Sequence, residues 1–274
     1  MNGLGNDFVI LDGRARALAI DEAKAEAIAN RATGIGCDQL IVLERSPIAD
    51  VRMRIYNNAG GEVESCGNAS RCIGDVLFTE LGRDTVTIDT KGGYLTAVKA
   101  GERLVTVDNG APRFGWKDIP LAEEFFDTRH IELQVGPIDA PLIHSPSVVN
   151  VGNPHCIFWV DDLDVVDLGK VGPMLEYHPM FPERANITLA KLVGPDHLKV
   201  KVWERGAGLT LACGTGACAV AACAARIKLT GRKVTVSLPG GDLYLDWREG
   251  DDHMLMTGPV QYDFEGELPP HLAV

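Results

Sequence analysis

The chain has 274 residues, 46% of them apolar and 23% charged, enough to close one large core or two smaller ones. A formal net charge of −12 excludes the basic footprint that nucleic-acid binding requires. No basic-then-apolar leader is read at the start, and the most apolar run, 211–227, is short and built from Ala, Gly and Cys, so no membrane span is expected and the protein is read as cytoplasmic.

In chain order, the alternating stretch Met53-Arg54-Ile55-Tyr56-Asn57 reads as a strand running into a glycine turn and a second short strand. A Cys-Gly step follows and opens a helix from Gly67 to about Leu81, with Gly82 as its stop. A hairpin turning at Gly92-Gly93 comes next. The segment 113–148, rich in proline and acidic residues, is read as holding the crossing between the halves. In the second half the pattern recurs. A strand at Val200-Lys201-Val202-Trp203-Glu204 leads to a glycine turn, then Cys213-Gly214 and a helix from Gly214 to about Leu229, stopped near Gly231. A second hairpin turns at Gly240-Gly241. The second helix is Ala, Cys and Val around nearly its whole circumference, which marks it as buried.

The recurrence is an internal duplication. At an offset of 147, VRMRIYNNAGGEVESCGN (51–68) lies over LKVKVWERGAGLTLACGT (198–215), Gly5-Asn6 over Gly152-Asn153, and Gln39-Leu40 over Asn186-Ile187. Downstream the offset becomes 148, so VTIDTKGGYL (86–95) covers VTVSLPGGDL (234–243). The expected fold is α+β: two pseudo-symmetric half-domains, each a mostly antiparallel sheet wrapped around a central helix. The expected halves are 1–112 with Cys66 and 113–259 with Cys213, the tail 260–274 returning to the first.

The chain has 7 cysteines, an odd count that fits a reducing compartment and not a disulfide framework. Cys66 and Cys72 are six apart, and Cys213, Cys218 and Cys223 are five apart. Those steps turn neighbours on a helix away from each other, and no C-x2-C pair suited to zinc exists, so no metal is expected. Cys66 and Cys213 stand out because they occupy equivalent positions at the two helix starts. Unpaired N–H groups and the helix dipole there favour a thiolate and form an anion cradle from the amides of Gly67-Asn68 and Gly214-Thr215. A carboxylate between two such thiols could lose its α-proton to one and regain a proton from the other on the opposite face. Cys37, Cys72, Cys156, Cys218 and Cys223 have no such support and are read as packing residues.

The blocks GLGNDF (3–8), GCDQL (36–40), SCGN (65–68), GNPHC (152–156), FPERAN (181–186), WERGAG (203–208), ACGTGACA (212–219), LPGG (238–241) and MTGP (256–259) resemble the diaminopimelate epimerases, in order and spacing over nearly the whole chain. The resemblance implies a cofactor-independent epimerase of lysine and peptidoglycan precursor biosynthesis, acting on a small-molecule substrate and often a homodimer. It implies Cys66 and Cys213 as the catalytic thiols. Asn6, Gln39, Asn57, Asn153, Asn186, Glu204 and Arg205 are implied as substrate ligands, Gly67-Asn68 and Gly214-Thr215 as amide cradles, and His155 and Glu204 as groups that tune the thiols. Arg205 suits a distal carboxylate and Glu204 an ammonium. Ala69 and Ser70 depart from the usual residues after Cys-Gly-Asn, and Asn57-Asn58-Ala59-Gly60 from the usual turn.

A dinucleotide-binding oxidoreductase is the rival from another class, because Gly214-Thr215-Gly216-Ala217-Cys218-Ala219 fits G-x-G-x-x-A. The acidic residue wanted about 20 positions further on is missing, and the repeat partner at Gly67 lacks the glycines. Proline-type racemases of the same fold are closer competitors, against which FPERAN and WERGAG argue.

Overall fold

In a computed structural model that describes residues 1–64 and 66–274, the chain forms two compact units: Met1–Asp108 with Thr257–Val274, and Asn109–Met256. Ser65, in the sequence block before the first Cys-Gly, lies outside the described residues.

The first unit runs β1 (Asn2–Gly3), β2 (Asn6–Asp12), α1 (Glu22–Ala29), β3 (Gln39–Glu44), β4 (Val51–Asn57), β5 (Glu62–Val63), α2 (Gly67–Leu81), β6 (Thr85–Thr90), β7 (Gly93–Gly101) and β8 (Leu104–Asp108). Its strands lie in the order β1-β2-β3-β4-β6-β7-β8, with β5 paired to β4. The pairs β2/β3 and β4/β6 are parallel and the others are antiparallel. Alternation does the folding work: Val51, Met53 and Ile55 of β4 point to one side and are buried against Ala69, Ile73 and Leu77 of α2. The opposite side, with Leu40, Val42 and Tyr56, packs on α1 and on Leu272 of the C-terminal tail. Gly82, left-handed at φ 61°, ends α2 as its sequence requires.

The second unit runs β9 (Gln134–Val135), β10 (Ile143–His144), β11 (Ser147–Asn150), β12 (Pro154–Trp159), α3 (Leu168–Glu176), β13 (Asn186–Gly194), β14 (His197–Glu204), β15 (Gly208–Leu209), α4 (Gly214–Arg226), β16 (Lys233–Leu238) and β17 (Gly241–Trp247). Then β18 (Met254–Pro259) carries the chain back to the first unit. The order β11-β12-β13-β14-β16-β17 continues the same logic, with β12/β13 and β14/β16 parallel. No described helix is long and apolar enough to cross a membrane.

The duplication is written into the register. Phe8 faces Gln39 and His155 faces Asn186; Leu40 faces Tyr56 and Ile187 faces Trp203; each pair of positions is displaced by 147. Across the parallel pairs Val51 faces Ile88 and Leu198 faces Val236, which reproduces the change of offset to 148. This is the sheet-dominated α+β fold with a buried helix in each half.

The segment 113–148 adds Ile119, Leu121, Ile131, Leu133 and Ile143 to the core of the second unit, together with Phe158 and Leu189. One local expectation needs correction: α4 stops at Arg226, short of Leu229 and with no use of Gly231. Lys228 adopts the left-handed conformation at φ 60°, its N–H donates to the Ala225 carbonyl, and the Leu229 N–H donates to the Ala224 carbonyl. That is a Schellman closure with lysine in the usual glycine position, which a search for glycine stops overlooks.

Candidate active site

In the first unit, Cys66 is the N-cap of α2, in extended backbone at φ −148° and ψ 110°, so its side chain leaves the helix axis while its carbonyl starts the helix. Both the N–H and the hydroxyl of Ser70 donate to the Cys66 carbonyl, the hydroxyl at 2.9 Å, and Ala69 is buried; these departures from the family pattern fit the helix start. The half-buried Cys66 Sγ lies 3.8 Å from Asn6 Oδ1, and Asn68 Nδ2 donates to the same oxygen at 3.1 Å. Asn6 Nδ2 in turn donates to Asp38 Oδ2 at 3.1 Å, and Arg71 donates to Asn68 Oδ1 at 2.9 Å.

The expected ligands Gln39 and Asn57 sit opposite each other across β3 and β4. Gln39 Oε1 is buried and has no partner among the described residues, which leaves an acceptor available to a ligand donor. Asn57 serves its turn: its Oδ1 accepts from the N–H of Ala59 and of Gly61, both at 3.0 Å, and Gly60 supplies the φ of 85°. The replaced turn therefore closes.

In the second unit, Cys213 is the N-cap residue of α4 in a similar extended backbone, at φ −122° and ψ 102°, and here the side chain takes part: its Sγ accepts from the Gly216 N–H at 3.3 Å and lies 3.6 Å from Thr215 Oγ1. Here the expectation of a lowered thiol pKa is reversed. Cys213 is 2% exposed, and burial pushes its thiol well above the ordinary cysteine range. The Glu204 carboxylate adds to the rise, while Thr215 and the Gly216 amide pull the other way without winning. Desolvation of a full negative charge outweighs the partial charges of one helix end. Glu204 is itself held by the Thr210 hydroxyl, which donates to its Oε1.

Asn153, His155, Asn186 and Arg205 form one cluster. His155 Nε2 is 2.8 Å from Asn153 Oδ1, Asn186 Nδ2 donates to the Pro154 carbonyl at 2.9 Å, and Asn186 Oδ1 accepts from the Arg205 N–H at 2.9 Å. Burial, and after it the charge of Arg205, brings the His155 pKa down to about 3, so the ring is neutral. It acts on its surroundings through hydrogen bonding and not as a cation. The same Nε2 lies 3.5 Å from Asn186 Nδ2, and Nδ1 is buried without a partner among the described residues. The exposed Arg205 guanidinium donates to the Glu183 carbonyl at 2.9 Å.

Three contributors were not singled out from the sequence. Glu176, almost fully buried, accepts from Trp203 Nε1 at 2.7 Å and from the Gly206 N–H at 3.0 Å, and so anchors the turn that carries Glu204 and Arg205. Asp38 and Arg71 flank the Asn6–Asn68 pair. A lone Glu at a helix end and an Asp inside a family block carry no periodic signal.

The family model for diaminopimelate epimerase matches residues 1–115 and 147–262. The chain belongs to the diaminopimelate epimerase family. It is 53% identical over 272 residues to a diaminopimelate epimerase of Rhodopseudomonas palustris, covering 98% of this chain and 93% of that one. It is 55% identical to one from Afipia carboxidovorans over 99% of this chain and 94% of the other. Among solved structures it is similar to a phenazine biosynthesis protein of the PhzF family from Bacillus anthracis, with TM-score 0.63 and 19% identity over 94% and 92% of the two chains. It is also similar to a hydroxyproline epimerase from Agrobacterium vitis, with TM-score 0.63 and 14% identity over 94% and 86%. Those two likenesses are of fold. Family membership sets aside the dinucleotide-binding alternative, and the glycines after Cys213 serve the start of α4.

Proposed function

We propose that the protein is an isomerase interconverting LL- and meso-diaminopimelate without a cofactor, with Cys66 and Cys213 as the two proton-transfer groups. The observation that carries the reading is that two cysteines in repeat-equivalent positions are each the N-cap residue of a buried helix. A single base reaches only one face of a tetrahedral carbon, so inversion requires a second group on the other. In the forward step a thiolate takes the α-proton. The C–H bond breaks, an S–H bond forms, and the electron pair moves into the carboxylate, whose oxygens are met by amide donors at the helix starts. The opposite S–H then breaks as its proton is delivered to the other face. The raised thiol pKa of Cys213 suits it to deliver the proton in the resting form.

In this reading the substrate carboxylate at the reacting carbon takes the amides of Gly67-Asn68 and Gly214-Thr215. Gln39, with its unpartnered Oε1, takes an ammonium, as does Glu204; Arg205 takes the distal carboxylate; and Asn6, Asn57, Asn153 and Asn186 complete the ligand set. His155 orients Asn153. A reducing cytoplasm would keep both sulfurs as thiols, and the reading extends to a homodimer, which sedimentation velocity would detect. The deciding experiment is incubation with LL-diaminopimelate in deuterated water, without pyridoxal phosphate. Deuterium should enter one α-carbon together with inversion, and Cys66→Ala and Cys213→Ala should each stop turnover. Normal epimerisation by either variant would refute the two-thiol mechanism.

A further inference from the structure

The amides of Asn6 and Asn68 lie between two groups of fixed hydrogen-bonding sense. The Asp38 carboxylate can only accept, and it receives the Asn6 Nδ2 at 3.1 Å. The Arg71 guanidinium can only donate, and it gives to Asn68 Oδ1 at 2.9 Å. With both ends committed, the middle link has one orientation: Asn68 Nδ2 donates to Asn6 Oδ1 at 3.1 Å, and that oxygen also faces Cys66 Sγ at 3.8 Å. Turning the Asn6 amide over would aim its NH2 at the NH2 of Asn68 and its oxygen at a carboxylate. We infer that Asp38 is a positioning residue for the reaction: it fixes the Asn6 amide so that an oxygen, and not an NH2, faces the Cys66 sulfur. The inference rests on the proposed role of Cys66.

Asp38 is itself tied down. Its Oδ1 accepts from Arg31 at 2.7 Å, and its Oδ2 also accepts from the Asp7 N–H at 3.2 Å. Its own N–H donates to Asp7 Oδ1 at 2.7 Å, and Arg31 reaches the two Asp7 oxygens at 2.9 and 2.8 Å. Burial would raise the Asp7 carboxyl, but the Arg31 and Asp38 hydrogen bonds outweigh it and hold it below its usual range. The charged groups around the site are thus Asp38, Asp7 and Arg31 from the β2 and β3 side and Arg71 from α2. Arg71 is completely buried, which gives its end of the chain little freedom to reorganise. The chemical consequence is selective. An oxygen lone pair opposite the sulfur accepts an S–H proton and repels a thiolate, whereas an NH2 in the same place would draw the thiolate out.

The test reads Cys66 itself, by peptide-resolved alkylation with iodoacetamide across pH, with added N-acetylcysteine as the reference thiol. Asp38→Asn is isosteric but offers an NH2 to Asn6, which opposes the demand of Asn68 and leaves the Asn6 amide without a single fixed orientation. Cys66 alkylation should then move its midpoint to lower pH by about half a unit, about threefold faster at a fixed pH below it, with the reference thiol unchanged. Asp38→Glu, which keeps the acceptor, should stay nearer the parent midpoint than Asp38→Asn. Should Asp38→Asn not fold, Asn6→Ala removes the acceptor directly and should shift Cys66 in the same direction. A merely structural role for Asp38 would raise alkylation at every pH without moving the midpoint. That result, or an unmoved midpoint in folded Asp38→Asn or in Asn6→Ala, overturns the inference. Because alkylation needs no substrate, it is independent of the epimerase assay, so failure of the proposed function would be seen separately.

Discussion

Replacing Glu176 by glutamine should destabilise the protein far beyond what the loss of one oxygen suggests. The carboxylate is almost fully buried and both of its oxygens are used: Oε2 by Trp203 Nε1 at 2.7 Å, and Oε1 by the Gly206 N–H at 3.0 Å and Arg184 at 3.5 Å. Glutamine has a single acceptor oxygen, so its NH2 must face an N–H in either rotamer. One buried donor then goes unsatisfied, costing about 1–3 kcal/mol, and the remaining bonds fall from charge-assisted to neutral strength, costing about 1 kcal/mol more. The expected total is about 2–4 kcal/mol. For a unit of this size that lowers Tm by roughly 5–15 °C, measured by calorimetry alongside urea unfolding. The Glu204–Arg205 turn loses its anchor, so KM should rise more than kcat falls. Coupling supplies the sharper check. Combined with Trp203→Phe, which removes the indole donor, Glu176→Gln should cost distinctly less than in the parent. Strictly additive losses, or a Tm change under about 2 °C, would show that Glu176 does not anchor the turn in this way.

Other expectations follow from single positions. The His155 pKa falls from its ordinary value to about 3 in the folded protein, so the unfolded chain binds a proton as pH drops below about 6.5 while the native ring does not. Stability from this group is complete above that pH and is lost at about 1.4 kcal/mol per unit on acidification toward 3. His155→Gln should flatten that part of the stability–pH curve, and an unchanged slope between pH 6.5 and 5 would count against a neutral buried ring. Gly60→Ala should cost about 2–5 kcal/mol in urea unfolding, since a Cβ would lie 2.1 Å from the Glu22 carbonyl oxygen and φ is 85°. Lys228→Gly should stabilise by about 0.5–1 kcal/mol, because glycine removes the left-handed strain that closes α4; a loss of stability would mean that the lysine side chain matters more than its backbone.

Much of this protein was legible in one dimension because a duplication prints its own register. The offsets of 147 and 148 mark which strand positions correspond, and alternation and the Cys-Gly steps locate α2, α4 and the two N-cap cysteines. Local rules sufficed there, since periodicity, glycine stops and helix starts are properties of neighbouring residues. Where a local rule had two solutions the reading failed, as at Lys228, which closes α4 with a backbone conformation that glycine usually provides.

What only the tertiary structure decided is the electrostatic setting of the site. A helix start by itself argues for a lowered thiol pKa, yet burial, with the Glu204 charge adding to it, raises that of Cys213. The resemblance implies His155 as a group that tunes the thiols, and complete enclosure keeps its ring neutral. Asp38, Arg71 and Glu176 look like ordinary charges in the chain, and they become the fixed ends of hydrogen-bond chains only when distant segments meet. Sequence spacing records which groups are present and at which step of a helix or strand. Desolvation and the sense of a hydrogen bond depend on what surrounds a group in three dimensions, and residues remote in the chain supply those surroundings.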